Sequence, residues 1–464
     1  MIKKALNKIT ITIGKKIAQL GMVSPFVHLY ASKIEEIKPQ AEDNGSRKVT
    51  ILALNPNRFR GDLQILADSG EFRVLIVPFE WQTKILSLFW TKELKRERKK
   101  DPHKYYRPGD DKIFVEVQTD FRRFLKKFLS SLYSRLKIDC VIGAGVHYIQ
   151  DFDWGLVSNE LGVPYIVLHR ENLATGPGHV KFVHDFHRGM GQFKGSHIIV
   201  HNEIMKESLI ESGFVNSDQV SALGCLRMDD YVRMIKDKSR HKSNHSRKQV
   251  VFFSFNHAVG LLGILNGFSD ERNVGWVNLF EKTHVAMAEL AIEHPDVDFI
   301  IKPKWGGNWL EEIQYAFKKY GIESNKISNL KILVDVDVHQ LIFESDVVAG
   351  YGSTTVLEAA IAAKPVIMPS FDEALDPQYR PYVHFQNETH LFDIAHSPEE
   401  FKTLILKRLE EPNITEAGQA ERYAVFEKYV SSMNADALDK YVKAIKNVVH
   451  EAQEAKKVGQ RVPA

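Results

Sequence analysis

With 464 residues, 44% of them apolar, the chain has material for two sizeable hydrophobic cores, and a net charge of +3 argues against a nucleic-acid partner. Its two cysteines, Cys140 and Cys225, stand alone and far apart. That excludes a disulfide framework or a cysteine-rich zinc site and fits reduced thiols in a cytoplasmic protein. No run of about eighteen to twenty apolar residues marks a membrane span. Nor does 1–20 read as a signal peptide, since Lys15 and Lys16 interrupt the apolar run and no small-residue cleavage site follows.

Residues 1–40 form an N-terminal basic amphipathic segment. Ile2, Ala5, Leu6, Ile9 and Ile13 recur at helical spacing with lysines mostly elsewhere, a pattern suited to an anionic membrane surface. Residues 9–13 alternate like a strand as well, so both conformations fit. A first α/β domain is expected over 41–235. The apolar run at 49–55 predicts a buried parallel strand, followed by a loop with Asn55, Arg58, Arg60 and Gly61. Loops at strand C-termini face the ligand crevice in an open α/β sheet. A second strand is expected at 72–77. The dense basic stretch 92–112, relieved by Glu93, Glu97 and Asp101, reads as a solvated helix or as a patch for anionic lipid or a polyanionic acceptor.

The amphipathic pattern of 121–136 predicts a helix leading into a strand at 140–143. Asp151 and Asp153 then open a further helix, where Asp is expected as an ordinary cap and not as a metal ligand. After the strand at 165–168 comes His169-Arg170-Glu171-Asn172, four polar side chains directly behind a buried strand. His169 or Glu171 has the chemistry to remove a proton from a hydroxyl, and Arg170 to hold a negative group. The same residues also suit a strand cap and a surface ion pair. His179, His184, His187, His197 and His201 follow without a known zinc-binding pattern and read as structural or substrate-facing.

Residues 236–249 are polar, basic and without an apolar residue, as an interdomain linker would be. A second Rossmann-like domain is expected over 250–413. Its first strand, 250–254, feeds a loop with Asn256 and His257, and 266–278 looks like an inserted, mobile segment. A strand at 299–301 ends in Lys302-Pro303-Lys304. The stretch 345–373 then reads as strand, glycine turn, helix and strand. Gly350 and Gly352 break the apolar run of 347–349, and helical periodicity covers 355–363. Ser353, Thr354 and Thr355 stand where that helix begins. There the unpaired first N–H groups and the positive dipole end favour phosphate. Glu358, one turn on, has the reach to accept hydrogen bonds from two ribose hydroxyls. A plain N-cap with a carboxylate partner fits the same residues. Residues 414–464 are expected to be C-terminal helices and a polar tail.

The order S-D-x-x-x-x-x-G-S-T-x-x-x-E-A-x-x-x-x-K-P-V-I across 345–367 resembles the nucleotide-sugar loop of GT-B glycosyltransferases, especially those of bacterial capsule and surface-carbohydrate biosynthesis. It is similar also to the equivalent loop of non-hydrolysing UDP-N-acetylglucosamine epimerases. Gly224-x-x-Arg227-x-Asp229 resembles the segment closing the N-terminal domain of these families, and Lys302-Pro303-Lys304 their K-P-H-P element, with Lys304 where a histidine often stands.

The resemblance implies an α/β GT-B fold: two facing Rossmann-like domains, with a C-terminal helix crossing back to the first. The implied activity is glycosyl transfer from a nucleotide-sugar donor to a glycan or lipid-linked glycan acceptor of a surface polysaccharide, capsule or lipopolysaccharide. Donor binding falls to Asn256, His257, Lys302, Lys304, Gly352, Ser353, Thr354, Thr355 and Glu358. Arg170, Arg227 and Glu373 would bind substrate, and His169 or Glu171 would be catalytic. No cofactor and no tightly bound metal are expected. The protein would be cytoplasmic, with peripheral contact at an anionic inner membrane face. The same fold also hosts NDP-sugar epimerases, CDP-alditol phosphotransferases and non-catalytic scaffolds that bind nucleotide or glycan.

Overall fold

The computed structural model describes residues 14–18, 20–40, 48–237, 246–261 and 274–459. The amphipathic reading of 2–13, most of the polar run 236–249 and the larger part of the insertion 266–278 lie outside them. Two compact units divide the chain. Among the described residues no helix is long and apolar enough to cross a membrane.

The first unit comprises 1–172, 184–227 and 436–464. Its sheet holds β1 (Glu35–Glu36), β2 (Val49–Ala53), β3 (Phe72–Ile76), β4 (Cys140–Gly143), β5 (Tyr165–Leu168), β6 (His197–Val200) and β7 (Val220–Ala222). The order is β1-β3-β2-β4-β5-β6-β7, and every pairing is parallel except that of β1 with β3. Strands β4, β5 and β6 are buried at every position, which is why each reads as an unbroken apolar run and not as an alternating one. The 25-residue helix Lys112–Leu136 buries Phe121, Phe124, Leu125, Phe128, Leu129 and Leu132, the stripe its periodicity foretells. Tyr165 leaves no room for side chains at two glycines: a β-carbon on Gly143 would lie 2.2 Å from its hydroxyl, and one on Gly155 would lie 2.4 Å from its ring.

The second unit comprises 173–183 and 228–435. Its strands are β8 (Gln249–Phe253), β9 (Asp298–Lys302), β10 (Leu330–Ile332), β11 (Val347–Gly350), β12 (Val366–Pro369) and β13 (Asp393–Ala395). They run in the order β10-β9-β8-β11-β12-β13, all parallel. The connections reverse direction between β2 and β4 in the first sheet and between β8 and β11 in the second. Ligands of open α/β sheets bind outside the strand C-termini at such reversals.

The change of unit comes at Arg227/Met228, ahead of the expected boundary at 235/236. Helix Met228–Lys236 goes with the second unit because Tyr231 is anchored there. Its hydroxyl donates to the Glu358 carbonyl at 2.7 Å, and its ring stacks on His339 at 3.9 Å. The C-terminal segment divides likewise. Helix Glu416–Tyr429 packs in the second unit, where Gln419 donates to the Ala360 and Ile361 carbonyls and Arg422 to those of Lys364 and Leu391. Helix Ala437–Gly459 belongs to the first, adding Tyr441, Ile445 and Val449 to the core around Ile51, Ile142 and Ile166.

One local expectation is corrected. Asp151 and Asp153 do not cap the helix Ile149–Glu160, whose N-cap is Tyr148 without a side-chain bond. Both are buried and turned to neighbours: Asp151 accepts from Asn55 at 2.6 Å, and Asp153 accepts from Arg122 at 2.6 Å and from the Tyr105 hydroxyl. Among the described residues no group of three or more His, Cys, Asp or Glu is placed to hold a metal ion.

Candidate functional site

In the second unit β11 ends at Gly350, Tyr351 turns into the core, and Gly352 takes a φ of +62°, a left-handed conformation that glycine adopts without strain. Ser353 is extended and caps the helix Thr354–Ile361, its oxygen accepting the Thr355 N–H at 3.3 Å and the Thr355 hydroxyl at 2.9 Å. Glu358 is held in place. Oε1 accepts the Thr354 hydroxyl at 2.8 Å, and Oε2 lies 3.3 Å from Nε2 of His339, whose own ring is braced by Tyr231. An ionised carboxylate has about four lone-pair positions. These contacts orient the buried carboxylate.

Register sets the neighbouring loops beside this turn: Gly350 pairs with Phe253, and Phe253 with Lys302. Asn256 braces its own loop, Oδ1 accepting the Ala258 N–H at 2.9 Å. The His257 carbonyl accepts the Trp276 N–H at 2.7 Å, while its buried Nε2 has no hydrogen-bonding partner among the described residues. Lys302 is buried and donates to the Pro303 carbonyl at 2.8 Å, whereas Lys304 is exposed.

Glu373 serves the fold instead of facing open space. Its oxygens accept the Asn278 N–H at 2.8 Å, the Asn278 side chain at 2.9 Å and the Leu279 N–H at 2.9 Å, capping the helix Val277–Glu293. Gly352, Ser353, Thr354, Thr355 and Glu358 are thus brought together, with Asn256, His257, Lys302 and Lys304 on adjoining loops. Sequence reasoning missed Tyr231 and His339, since nothing local ties them to Glu358.

In the first unit His169 follows β5 and is buried. Burial, with His187 and His147 at ring distances of 6.1 and 6.2 Å, holds its pKa well below the ordinary imidazole value. Arg170 forms a buried ion pair with Asp62. Burial foremost, and then Arg227 and Arg60, bring the guanidinium down to about 10. His201 is likewise kept neutral by burial and by Arg227 and Arg170. Asn172 ties the strand ends together: it donates to the His169 carbonyl at 2.6 Å and accepts the His201 N–H at 3.0 Å. Glu171 is exposed.

This arrangement gathers His169, Arg170 and Arg227 and sets Glu171 at the surface beside His147. A neutral imidazole is in the state a general base needs, and clustered guanidinium groups favour an anion. Asp151, beyond the reach of sequence reasoning as an acid, sits at the β2/β4 reversal with its carboxyl pushed up to about 7 by burial, against the Asn55 hydrogen bond and the charge of Arg58.

No protein-family model and no curated protein sequence matches the chain. Solved structures do. A protein assigned as UDP-N-acetylglucosamine 2-epimerase from Listeria monocytogenes is similar over 87% of this chain and 98% of its own, with a TM-score of 0.50 at 13% identity. The UDP-GlcNAc 2-epimerase of Neisseria meningitidis covers 86% of this chain and all (100%) of its own, with a TM-score of 0.47 at 13% identity. A UDP-forming trehalose-phosphate synthase from Burkholderia xenovorans covers 88% and 100%, with a TM-score of 0.47 at 11% identity. At such identities the likeness is one of fold. The chain has the α/β architecture of the GT-B class, with a parallel-sheet domain in each half, as its motifs implied.

Proposed function

We propose that the chain is a glycosyltransferase that moves a sugar from a nucleotide-activated donor to a glycan or lipid-linked glycan acceptor of a bacterial surface polysaccharide, without a tightly bound metal. The observation that carries this reading is the turn at the β8/β11 reversal: Gly352 in a left-handed conformation, three hydroxyl residues at a helix start, and a braced carboxylate one turn in. The helix start offers amides and hydroxyls to a diphosphate, and Glu358 offers acceptors to the ribose. In this reading Lys302 and Lys304 neutralise the departing phosphate, and Asn256 and His257 line the donor. Arg170 and Arg227 hold an anionic part of the acceptor, while His169 or Glu171 takes the hydroxyl proton.

The test is thermal unfolding across UDP, CMP, CDP, GDP and dTDP, with and without magnesium. A ligand bound at a hundred times its Kd stabilises the native state by about 2.7 kcal/mol. One nucleotide should raise the melting temperature whether or not magnesium is present, and Glu358→Ala should remove the effect. A flat response to all five would overturn the reading. With a sugar donor of the identified nucleotide, acceptor-dependent release of nucleotide supports transfer. Conversion of the sugar without acceptor would instead make the protein an epimerase, and binding without turnover a scaffold.

A further inference from the structure

The first 34 residues carry six lysines and no acidic residue. From 14 onward their described part packs, within the first unit, against the helices Trp81–Ser87 and Lys112–Leu136. Tyr30 is its anchor. The hydroxyl donates to the Trp81 carbonyl at 2.8 Å, and the ring meets those of Trp81 and Phe128 edge-on at 4.8 and 5.0 Å. Phe26 meets Phe124 at 5.3 Å. These contacts cover the inward side of the helix Ser24–Ala31, where Val27 and Tyr30 are buried.

The outward side is apolar as well. Met22, Pro25 and Leu29 follow one another at intervals of three and four residues and are all exposed, Met22 at 52% and Leu29 at 49%; Leu20 precedes them at 74%. Phe79, 44% exposed, comes two residues before Trp81, whose ring Tyr30 holds. Six large apolar side chains of the first unit are exposed among the described residues, and four of them lie on this segment and on the turn it is tied to. Single exposed apolar residues need no cause. A helix with apolar side chains on both sides, set in a cluster of exposed ones, is a surface suited to being covered.

Cations border this face. A β-carbon on Gly21, between Leu20 and Met22, would lie 3.7 Å from Nζ of Lys127, and Nζ of Lys84 lies over the Trp81 ring at 5.2 Å. Neither lysine, nor Lys16, has an ion-pair partner among the described residues. Glu80, exposed next to Phe79, sets one negative charge beside them, and Asp120 on the long helix is paired with Arg123. The balance is positive. A second copy of the chain fits poorly, since a two-fold contact would bring two such positive faces together. An anionic lipid surface accepts both components: the apolar side chains enter the headgroup boundary, and the lysines meet the lipid charge.

We propose that Leu20, Met22, Leu29 and Phe79, with Lys84 and Lys127 among them, form a face that seats the protein on an anionic lipid bilayer. This goes beyond the donor-site reading and does not depend on it.

The experiment is flotation of the full chain with vesicles of phosphatidylcholine, alone or with phosphatidylglycerol, at low and high salt. The protein should partition into the anionic vesicles about tenfold more than into the neutral ones, and less as salt rises. Leu20→Ser/Phe79→Ser and Lys84→Gln/Lys127→Gln should each lower partitioning about fivefold or more at an unchanged melting temperature. Lys318→Gln/Lys331→Gln, the same loss of charge on exposed lysines of the second unit, should stay within about twofold of wild type. Failure of wild type to float with anionic vesicles would overturn the proposal. So would equal losses in the two lysine pairs, which would make net charge the cause. Full binding by Leu20→Ser/Phe79→Ser, with loss in Lys3→Gln/Lys4→Gln/Lys8→Gln, would assign the contact to the first residues and overturn it too. Hydrogen exchange of wild type reads the face without substitution. Amides of 20–31 and 79–87 should exchange more slowly on adding anionic vesicles, and unchanged exchange there in the bound protein would refute the face.

Discussion

Replacing Asp151 by Asn should make the protein more stable at alkaline pH, and the structure sets the size of the effect. The Asp151 carboxyl is enclosed at 1% exposure, with one oxygen held by Asn55 at 2.6 Å and the other without a partner among the described residues. Burial raises its pKa from 3.8 to about 7, against the opposing Asn55 bond and the charge of Arg58; at about 1.4 kcal/mol per unit the ionised form is worth roughly 4 kcal/mol less in the folded than in the unfolded chain. Between those two values the folded state binds the proton and the unfolded state does not. Stability therefore falls as pH rises through the window and levels off above its upper end. Asparagine can keep the Asn55 bond through its carbonyl oxygen without carrying charge. Urea unfolding of Asp151→Asn and wild type at a series of pH values should give a stability difference that shifts in favour of the variant by about 3 kcal/mol between roughly pH 5 and 8. The histidines titrating in that range are common to both proteins and cancel. Parallel curves for the two proteins would refute the account of Asp151 as a buried acid that is neutral when folded.

Two more outcomes follow from contacts already described. Glu373→Ala should cost about 1–2 kcal/mol in urea unfolding through loss of the cap on Val277–Glu293, with nucleotide affinity kept within twofold. A drop in affinity at unchanged stability would return Glu373 to the substrate. Gly155→Ala should destabilise the first unit by about 1–3 kcal/mol, since its β-carbon would meet the Tyr165 ring at 2.4 Å. The cost should shrink in a Tyr165→Leu background, and additive losses in the double variant would sink the explanation.

What the sequence made legible is what neighbouring residues decide. The apolar runs at 49, 140, 165, 250, 299, 347 and 366 became strands because a parallel sheet buried on both faces needs such runs, and the glycine turn before Ser353 is visible from Gly350 and Gly352 alone. Contacts between distant residues were not legible. Thr175 meets His384 across 209 positions, and Tyr231 meets Glu358 across 127. Nothing near Glu373 in the chain announces its helix contact, since the amides it caps begin 95 positions earlier. Asp151 and Asp153 looked like caps because they open a helix. A partner from another element, Asn55 for one and Arg122 for the other, took each carboxylate away from the helix N–H groups.

The helix Ala437–Gly459 has a consequence for biogenesis. Its Tyr441, Ile445 and Val449 fill a core otherwise built from strands near the start of the chain, and the Tyr441 hydroxyl bonds the Gly224 carbonyl at 3.0 Å. That core therefore stays open on the ribosome until residues 437–449 have emerged, long after its own sheet has been synthesised. The second sheet lies between β8 and β13 and is complete earlier. The first half of the chain thus cannot finish folding until the last helix is made, and does not precede the second as the N-to-C order usual for multidomain proteins would have it. A chain truncated after 435 would hold every residue of the second unit but would lack the helix that fills the first core, leaving that core's apolar surface exposed.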